Sequence, residues 1–540
     1  MKRSISCLTL LLTSISAILG SGWLFASYYT AKLAGPSALI AWLIGSAMVI
    51  ILAFVFAELC AMLPITGSST RIPQYTHGTL VGFLFSWIIW LAYASLVPTE
   101  VQAVIQYLNY FIPGIVYGNG ALTSMGYVWA TGLVLLISAF NMFSLRWLLH
   151  CNNILTGLKI AIPLFISIVV LAYVFTPNHL MHPGGSQFMP CGMHGVLTAI
   201  ATGGIVFAFN GFKQACEMAG EAKRPSRSLP LAIIGSVLIC LVVYLFLQIA
   251  ALCSINHFNL AGVDWLHLHL PGQNSPISSI VVQDKLSTLL PLLYTGAIVG
   301  PMAAALMYAG SASRSLYGMS KNEYIPNVFQ QLTRQGNPAF AIMVNFILGM
   351  CLFAPLPGWN KMIAFLTSLM AITYAIGPIS LLTLRRQCPL QSRPFKLPFA
   401  TVWATFAFYI CTLLTYWSGW HIVSKFGLAL LIGLLVLFIH RMFTGKEKKT
   451  PLDWKTSIWI WPYFIGLTLL SYIGNFGGGR GILVFGWDFA IIALFCIIII
   501  WLALSFRLPK KRTLMYIRQL DIERRQPDSV VDNLENKSKL

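Results

Sequence analysis

Residues 17–29 read AILGSGWLFASYY, an apolar run interrupted by Gly20, Ser21 and Gly22. A helix that only crosses a bilayer is badly served by this triplet, because each glycine costs about 1 kcal/mol against alanine in a helix interior and leaves the backbone unshielded. In hydrocarbon the cost is greater, since freed N–H and C=O groups lose several kcal/mol each unless a polar partner meets them. The triplet predicts a helix opened at mid-span toward something polar.

The rest of the chain places this run in a membrane. Of its 540 residues, 57% are hydrophobic and 9% charged, against about 25% charged in soluble domains. Windows of about 20 apolar residues give about fourteen spans, near 5–31, 36–63, 79–111, 124–145, 151–175, 192–219, 229–256, 286–318, 338–354, 361–384, 400–421, 425–442, 457–474 and 484–506. The start, MKRSISCLTLLLTSISA, has the layout of a secretory signal, but the apolar run continues past Ala17 and a retained first helix is expected.

The net charge of +20 is a matter of topology. With a cytoplasmic amino terminus, 28 of the 35 Lys and Arg fall on the inner side, and Lys32, Lys285, Lys361, Lys425 and Arg480 fall outside. That asymmetry follows the positive-inside rule and implies no affinity for nucleic acid. The expectation is a multi-pass protein of the cell (inner) membrane with both termini cytoplasmic. The eleven Cys lie mostly in spans, as small hydrophobes; Cys191 and Cys253 are the pair placed near one face. His179 with His182, and His267 with His269, sit in outer loops without Cys or acidic company, so no metal site is expected.

The sixth span, GVLTAIATGGIVFAFNGFKQACEMAG (195–220), carries a second weak point at Asn210-Gly211. Five spans separate the two starts, and an odd number reverses the crossing direction. Broken helices at matched positions of two oppositely oriented halves point to an inverted repeat with its site at the midplane; the alternative is that small residues merely let helices approach. The fold class so read is an all-α polytopic membrane protein. Its inverted 5+5 core, with helices 1 and 6 discontinuous, covers residues 1–400 (repeats 1–175 and 192–384). Four peripheral helices follow at 400–506, then a cytoplasmic tail at 507–540 that is polar enough to be disordered. Such an opening suits a zwitterion, whose carboxylate meets N–H groups at a half-helix N-terminus and whose ammonium meets freed carbonyls. An amino acid is the leading candidate.

Four stretches carry a family resemblance: GSGWLF (20–25), AELCAMLPITGSS (57–69), FAFNGFKQACEMAGEAKRPSRSLPLAI (207–233) and SRSLYGMSKNEYIP (313–326). In this order and spacing the chain resembles the amino acid/polyamine/organocation transporter superfamily over most of residues 10–400. Its Gly-Trp-Leu-Phe start and PTEVQAV segment are most similar to bacterial aspartate/proton symporter-type permeases. The resemblance implies alternating access. It places the substrate carboxylate on N–H groups around Ser21, Gly22 and Trp23, the ammonium on main-chain carbonyls near Ile18, Phe207 and Ala208, and an aromatic gate at Phe209. Two departures stand out: Asn210, where many relatives have an apolar residue and which is expected to read the substrate side chain, and GSSTR in place of Gly-Gly-Ser-Tyr.

Ionisable residues inside spans are functional candidates by default. Lys159 lies about eight residues, or roughly 12 Å, into the fifth span. It either snorkels to the cytoplasm or faces the first break and exchanges a proton, as the resemblance supports. Glu100 is a second protonatable group, or a structural one paired with Gln102, Tyr93 or a neighbouring helix. Lys213 either attracts an acidic side chain or lines a cytoplasmic vestibule. Glu58, Glu217 and Asp488 lie near span ends, where solvent or an Arg partner accounts for them. PMAAALMYAG in the eighth span offers no hydroxyl pair for sodium, so a proton gradient is the expected driving force, with no cofactor. A membrane enzyme would show a phosphate loop, a metal-binding His pair or clustered carboxylates, and a channel would repeat pore-lining polar residues; neither pattern is present. Proton-coupled amino acid symport is the reading, with an amino acid exchanger or a non-transporting sensor as the alternatives.

Overall fold

The computed structural model describes residues 5–65, 67–143, 145–175, 188–257, 265, 268, 276–333, 335–443 and 451–525. The histidine pairs 179/182 and 267/269 lie outside them. Among the described residues every regular element is a helix, and the β structure is limited to two isolated bridges, Ile5 with Ala222 and Val116 with Leu122.

The first helix is in two pieces, α1 (Cys7–Ile18) and α2 (Gly22–Ala34), and a short turn leads into α3 (Ala38–Met62). A short helix, α4 (Ser68–His77), precedes α5 (Thr79–Leu108), α6 (Ser124–Phe140) and α7 (Leu145–Val174). The next helix is broken as well, into α8 (Gly192–Thr202), α9 (Ile205–Ala208), a 3₁₀ turn (Asn210–Lys213) and α10 (Gln214–Glu217), with a bend of 45°. There follow α11 (Pro225–His257), α12 (Pro276–Gln283), α13 (Leu290–Lys321), α14 (Ala339–Leu352) and α15 (Trp359–Gln387). The chain continues through α16 (Ala400–Trp417), α17 (Trp420–Phe443), α18 (Ile460–Ile473), α19 (Trp487–Ser505) and α20 (Lys510–Arg525).

Among the described residues ten helical segments are long and apolar enough to cross a bilayer, eleven with the bent one, and α1, α6 and α14 are apolar but shorter. The innermost element is α5, buried over nearly its whole length, with α13 and α15 packed along it; α11 lies on α3 and α16 on α15. By contrast α17 and α19 turn Leu428, Leu431, Leu435, Leu494, Ile497 and Trp501 outward. An apolar exterior is what a hydrocarbon solvent requires.

Residues 510–525, expected to be disordered, form α20. It docks on α4: Thr513 Oγ1 donates to the Tyr75 carbonyl at 2.9 Å, Tyr516 stacks on Tyr75, and Arg512 pairs with Asp453 at 2.5 Å. The composition is polar, but Ile517 and Leu520 share one face and are buried. Their partner surface belongs to a distant part of the chain, which composition cannot reveal.

Glu58 has the Arg partner expected of it, and a second besides. Its carboxylate takes two bonds from Arg385 (2.9 and 2.7 Å) and one from the Leu397 N–H (2.7 Å), with Arg393 at 3.6 Å, and it is fully buried. Removing one partner of a buried pair costs about 3–5 kcal/mol. Glu58→Ala is therefore expected to lower the melting temperature in detergent by about 3–4 °C, measured by tryptophan fluorescence on heating; an unchanged melting temperature would refute the assignment. Glu217 and Asp488 differ from expectation. Among the described residues neither is within ion-pair distance of an Arg; each accepts a buried tyrosine hydroxyl, from Tyr93 at 2.8 Å and Tyr416 at 3.0 Å, and Asp488 also accepts the Phe489 N–H at the start of α19.

Candidate functional site

The last four carbonyls of a helix have no partner within it, and at the end of α1 each finds one. Ile15 O takes the Leu19 N–H, Ser16 O the Lys159 ammonium at 2.5 Å, Ala17 O the Tyr308 hydroxyl at 2.9 Å, and Ile18 O the Gly20 N–H and the Tyr244 hydroxyl, both at 2.9 Å. Lys159 also reaches Ser16 Oγ at 3.0 Å, and that hydroxyl donates to Asn152. Lys159 is thus buried against the first helix just before its break rather than snorkelling outward.

At the start of α2 the freed groups are donors. The Ser21 N–H is bound by the Glu100 carboxylate at 2.6 Å, and Ser21 Oγ accepts from the Trp359 indole at 2.8 Å. Glu100 meets none of the partners expected of it within α5 but a neighbouring helix, and it lies in the field of Lys159. The N–H groups of Gly22 and Trp23 have no hydrogen-bond partner among the described residues. A helix N-terminus with two open donors is a place for an anion.

The second break starts earlier and runs longer than the sequence suggested. Its helix is first interrupted at Gly203-Gly204, where Gly204 has φ of +104°, a backbone state that glycine adopts without penalty; one helical turn follows, and the 45° bend falls at Phe209, directly before Asn210-Gly211. The Gly-Gly pair was readable as a turn signal. Asn210-Gly211 has a different part. A Cβ on Gly211 would collide with the backbone of Ala17 and Ile18, so this glycine lets the two breaks touch. Tyr244 of α11 joins them: its hydroxyl lies 2.9 Å from Ile18 O and 3.1 Å from Ala208 O.

Of the expected site residues, Ile18, Ser21, Gly22 and Ala208 come together here. Phe207 stands edge-on to Trp359, which stacks on Phe25, while Phe209 stands edge-on to Tyr244 and Trp42. Asn210 accepts the Tyr374 hydroxyl at its carbonyl and Oδ1, at 3.1 and 3.2 Å. Trp23 contributes only main chain, because its indole packs on Gly296 and Gly300 of α13, away from the second break. Sequence reasoning missed Tyr244, Tyr308 and Trp359. For Tyr244 a signal existed: with Gln248 it puts two polar groups four residues apart on one face of an otherwise apolar span.

Both ends of the site are covered. Trp359 closes one side over Ser21; on the other, the Gly67 N–H donates to Glu217 O and Ser68 Oγ to Cys216 O, tying the loop after α3 to α10. The void beside that loop, between α3, α4 and α15, holds about 10 Å³, room for about one water. This is an occluded arrangement in which side chains satisfy most of the freed main chain.

Helices broken at facing positions, with main-chain donors and acceptors turned inward inside an apolar bundle, define a membrane transport protein. Sequence comparison goes further: the profile described as amino acid permease matches residues 5–439, and the chain belongs to that family. It is 33% identical over 504 residues to the glutamate/serine transporter AimA of Bacillus subtilis (strain 168), covering 92% of each chain. It is 32% identical over 512 residues to the aspartate-proton symporter of the same organism (94% of this chain, 97% of the relative), and 26% identical over 451 residues to its branched-chain amino acid permease BcaP (82% and 93%). The family and these relatives are transporters, not enzymes, and this chain is a multi-pass membrane protein of that kind.

Proposed function

We propose that this permease is a proton-coupled amino acid symporter working by alternating access. The observation that carries the reading is the pair of charges bracketing the first break, Lys159 on Ser16 O and Glu100 on the Ser21 N–H. A substrate carboxylate arriving at the open Gly22 and Trp23 donors comes next to the Glu100 carboxylate, and like charges in a dry site repel strongly. A proton on Glu100 removes that repulsion and frees the Ser21 N–H for the substrate. Its ammonium takes the Ile18 and Ala208 carbonyls as the Tyr244 hydroxyl gives way. Proton and substrate then favour one another's binding reciprocally, which is the thermodynamic content of symport.

The reading includes a ten-helix inverted-repeat core over residues 1–400, repeats 1–175 and 192–384, four outer helices at 400–506 and a cytoplasmic tail at 507–540, in the cell membrane with both termini inside. Fourteen crossings result when α6 and α14 also cross and the continuous stretch Gly22–Met62 is split between two spans. The test is uptake into liposomes containing the purified protein. Accumulation driven by an inward proton gradient, and not by sodium, supports symport. Uptake that requires amino acid inside the vesicle makes the protein an exchanger, and absence of any flux makes it a sensor.

A further inference from the structure

The cytoplasmic half of the second break holds three buried donors without acceptors. Asn210, Lys213 and Gln214 are 4%, 2% and 1% exposed. Asn210 Nδ2 and Gln214 Nε2 have no hydrogen-bond partner among the described residues. The Lys213 ammonium has none either; it lies among the rings of Tyr374, Phe56 and Tyr93, at 5.3, 5.5 and 5.9 Å from their centroids. An aromatic cage stabilises a cation through its ring faces but leaves all three N–H donors unmet. Burying such donors unpaired is unfavourable, and a ligand that brings an acceptor here relieves that cost.

In a 3₁₀ turn residues i and i+3 are eclipsed, which sets Lys213 under Asn210, and Gln214, one residue on, turns toward α13, where its Oε1 accepts from the Ser311 hydroxyl at 3.0 Å. Helical side chains also lean toward the N-terminus, so Lys213 reaches back toward the break. Its surroundings agree: Tyr374 is hydrogen-bonded to Asn210, and Tyr93 stacks on Tyr308, whose hydroxyl holds Ala17 O. Glu217, the acidic group nearest in sequence, is not within ion-pair distance of Lys213; its carboxylate accepts from Tyr93, and its charge acts on Lys213 and on Arg314 of α13 from further off.

We propose that Asn210, Lys213 and Gln214 form a subsite for the side-chain carboxylate of a dicarboxylic amino acid, of aspartate or glutamate type. This inference rests on the permease reading above and adds its substrate class. One carboxylate meets the α2 N-terminus, and the second meets Lys213 across the break.

The experiment is binding to the purified protein by thermal shift and isothermal titration, with aspartate, glutamate, asparagine, glutamine and serine. Aspartate and glutamate are expected to bind at least about tenfold more tightly than their amides. Lys213→Met is expected to lower the aspartate-to-asparagine affinity ratio at least about tenfold, and Lys213→Arg to keep most of it. Equal affinities for acids and amides in the unaltered protein overturn the proposal whether or not the variants fold, as does an unchanged ratio in a Lys213→Met protein that still binds asparagine. A protein that binds neutral amino acids without preferring acids refutes only this subsite, whereas one that binds and moves no amino acid refutes the permease reading.

Discussion

Gly22→Val is expected to cut amino acid uptake by about 5- to 150-fold while leaving membrane insertion intact. Gly22 is the first residue of α2, and a Cβ there would stand 3.1 Å from Ala208 Cβ, 3.2 Å from Ala208 Cα and 3.4 Å from the Tyr244 hydroxyl. Ala208 belongs to α9, so the obstruction is largely backbone and cannot rotate aside. Valine adds two further carbons to this contact, and overpacking of this kind costs about 1–3 kcal/mol, equivalent to about 5–150-fold in a binding constant. The damage falls where substrate must bridge the two breaks and not on any apolar surface that directs insertion. Uptake into vesicles, normalised to the amount of protein in the membrane fraction, measures it, and undiminished uptake would show that the breaks do not form the pocket.

Lys159→Ala is the second large effect. A one-proton symporter under a gradient of one pH unit accumulates a zwitterion about tenfold, because each unit is worth about 1.4 kcal/mol. In the variant the accumulation ratio is expected to collapse to about one, while exchange of labelled for unlabelled substrate persists. Loss of Lys159 also leaves Ser16 O without its ammonium and takes the cation out of the field of Glu100, so Glu100→Gln is the companion variant. Its amide oxygen still accepts from the Ser21 N–H, but it carries no titrating charge; the same collapse of the gradient response is expected with the helix cap preserved. If either variant still concentrated substrate in response to the proton gradient, these two residues would not be the coupling groups.

Much of the architecture was legible because membrane insertion is a local, compositional matter. Apolar stretches announce the helices, and glycine in GSGW announces an opening, since the cost of a freed peptide group in hydrocarbon is the same whatever surrounds it. Lys159 and Glu100 stood out by the same reasoning, being charges where charge is expensive. At the second break Asn210-Gly211 marked the bend, but the earlier interruption at Gly203-Gly204 went unread, and at α20 the buried Ile517 and Leu520 are outnumbered by charged neighbours.

Sequence by itself determined that this chain is a bundle of apolar helices, two of them interrupted, with a few ionisable groups committed to the interior. Only the tertiary structure decided which side chain meets each freed main-chain group: Glu100 to the Ser21 N–H across 79 residues, Lys159 to Ser16 O across 143, Tyr244 to Ile18 O across 226 and Tyr308 to Ala17 O across 291. The need for partners is a property of each broken helix alone. Their identity depends on how distant helices rotate and slide as they pack, and no local period in the chain encodes that register.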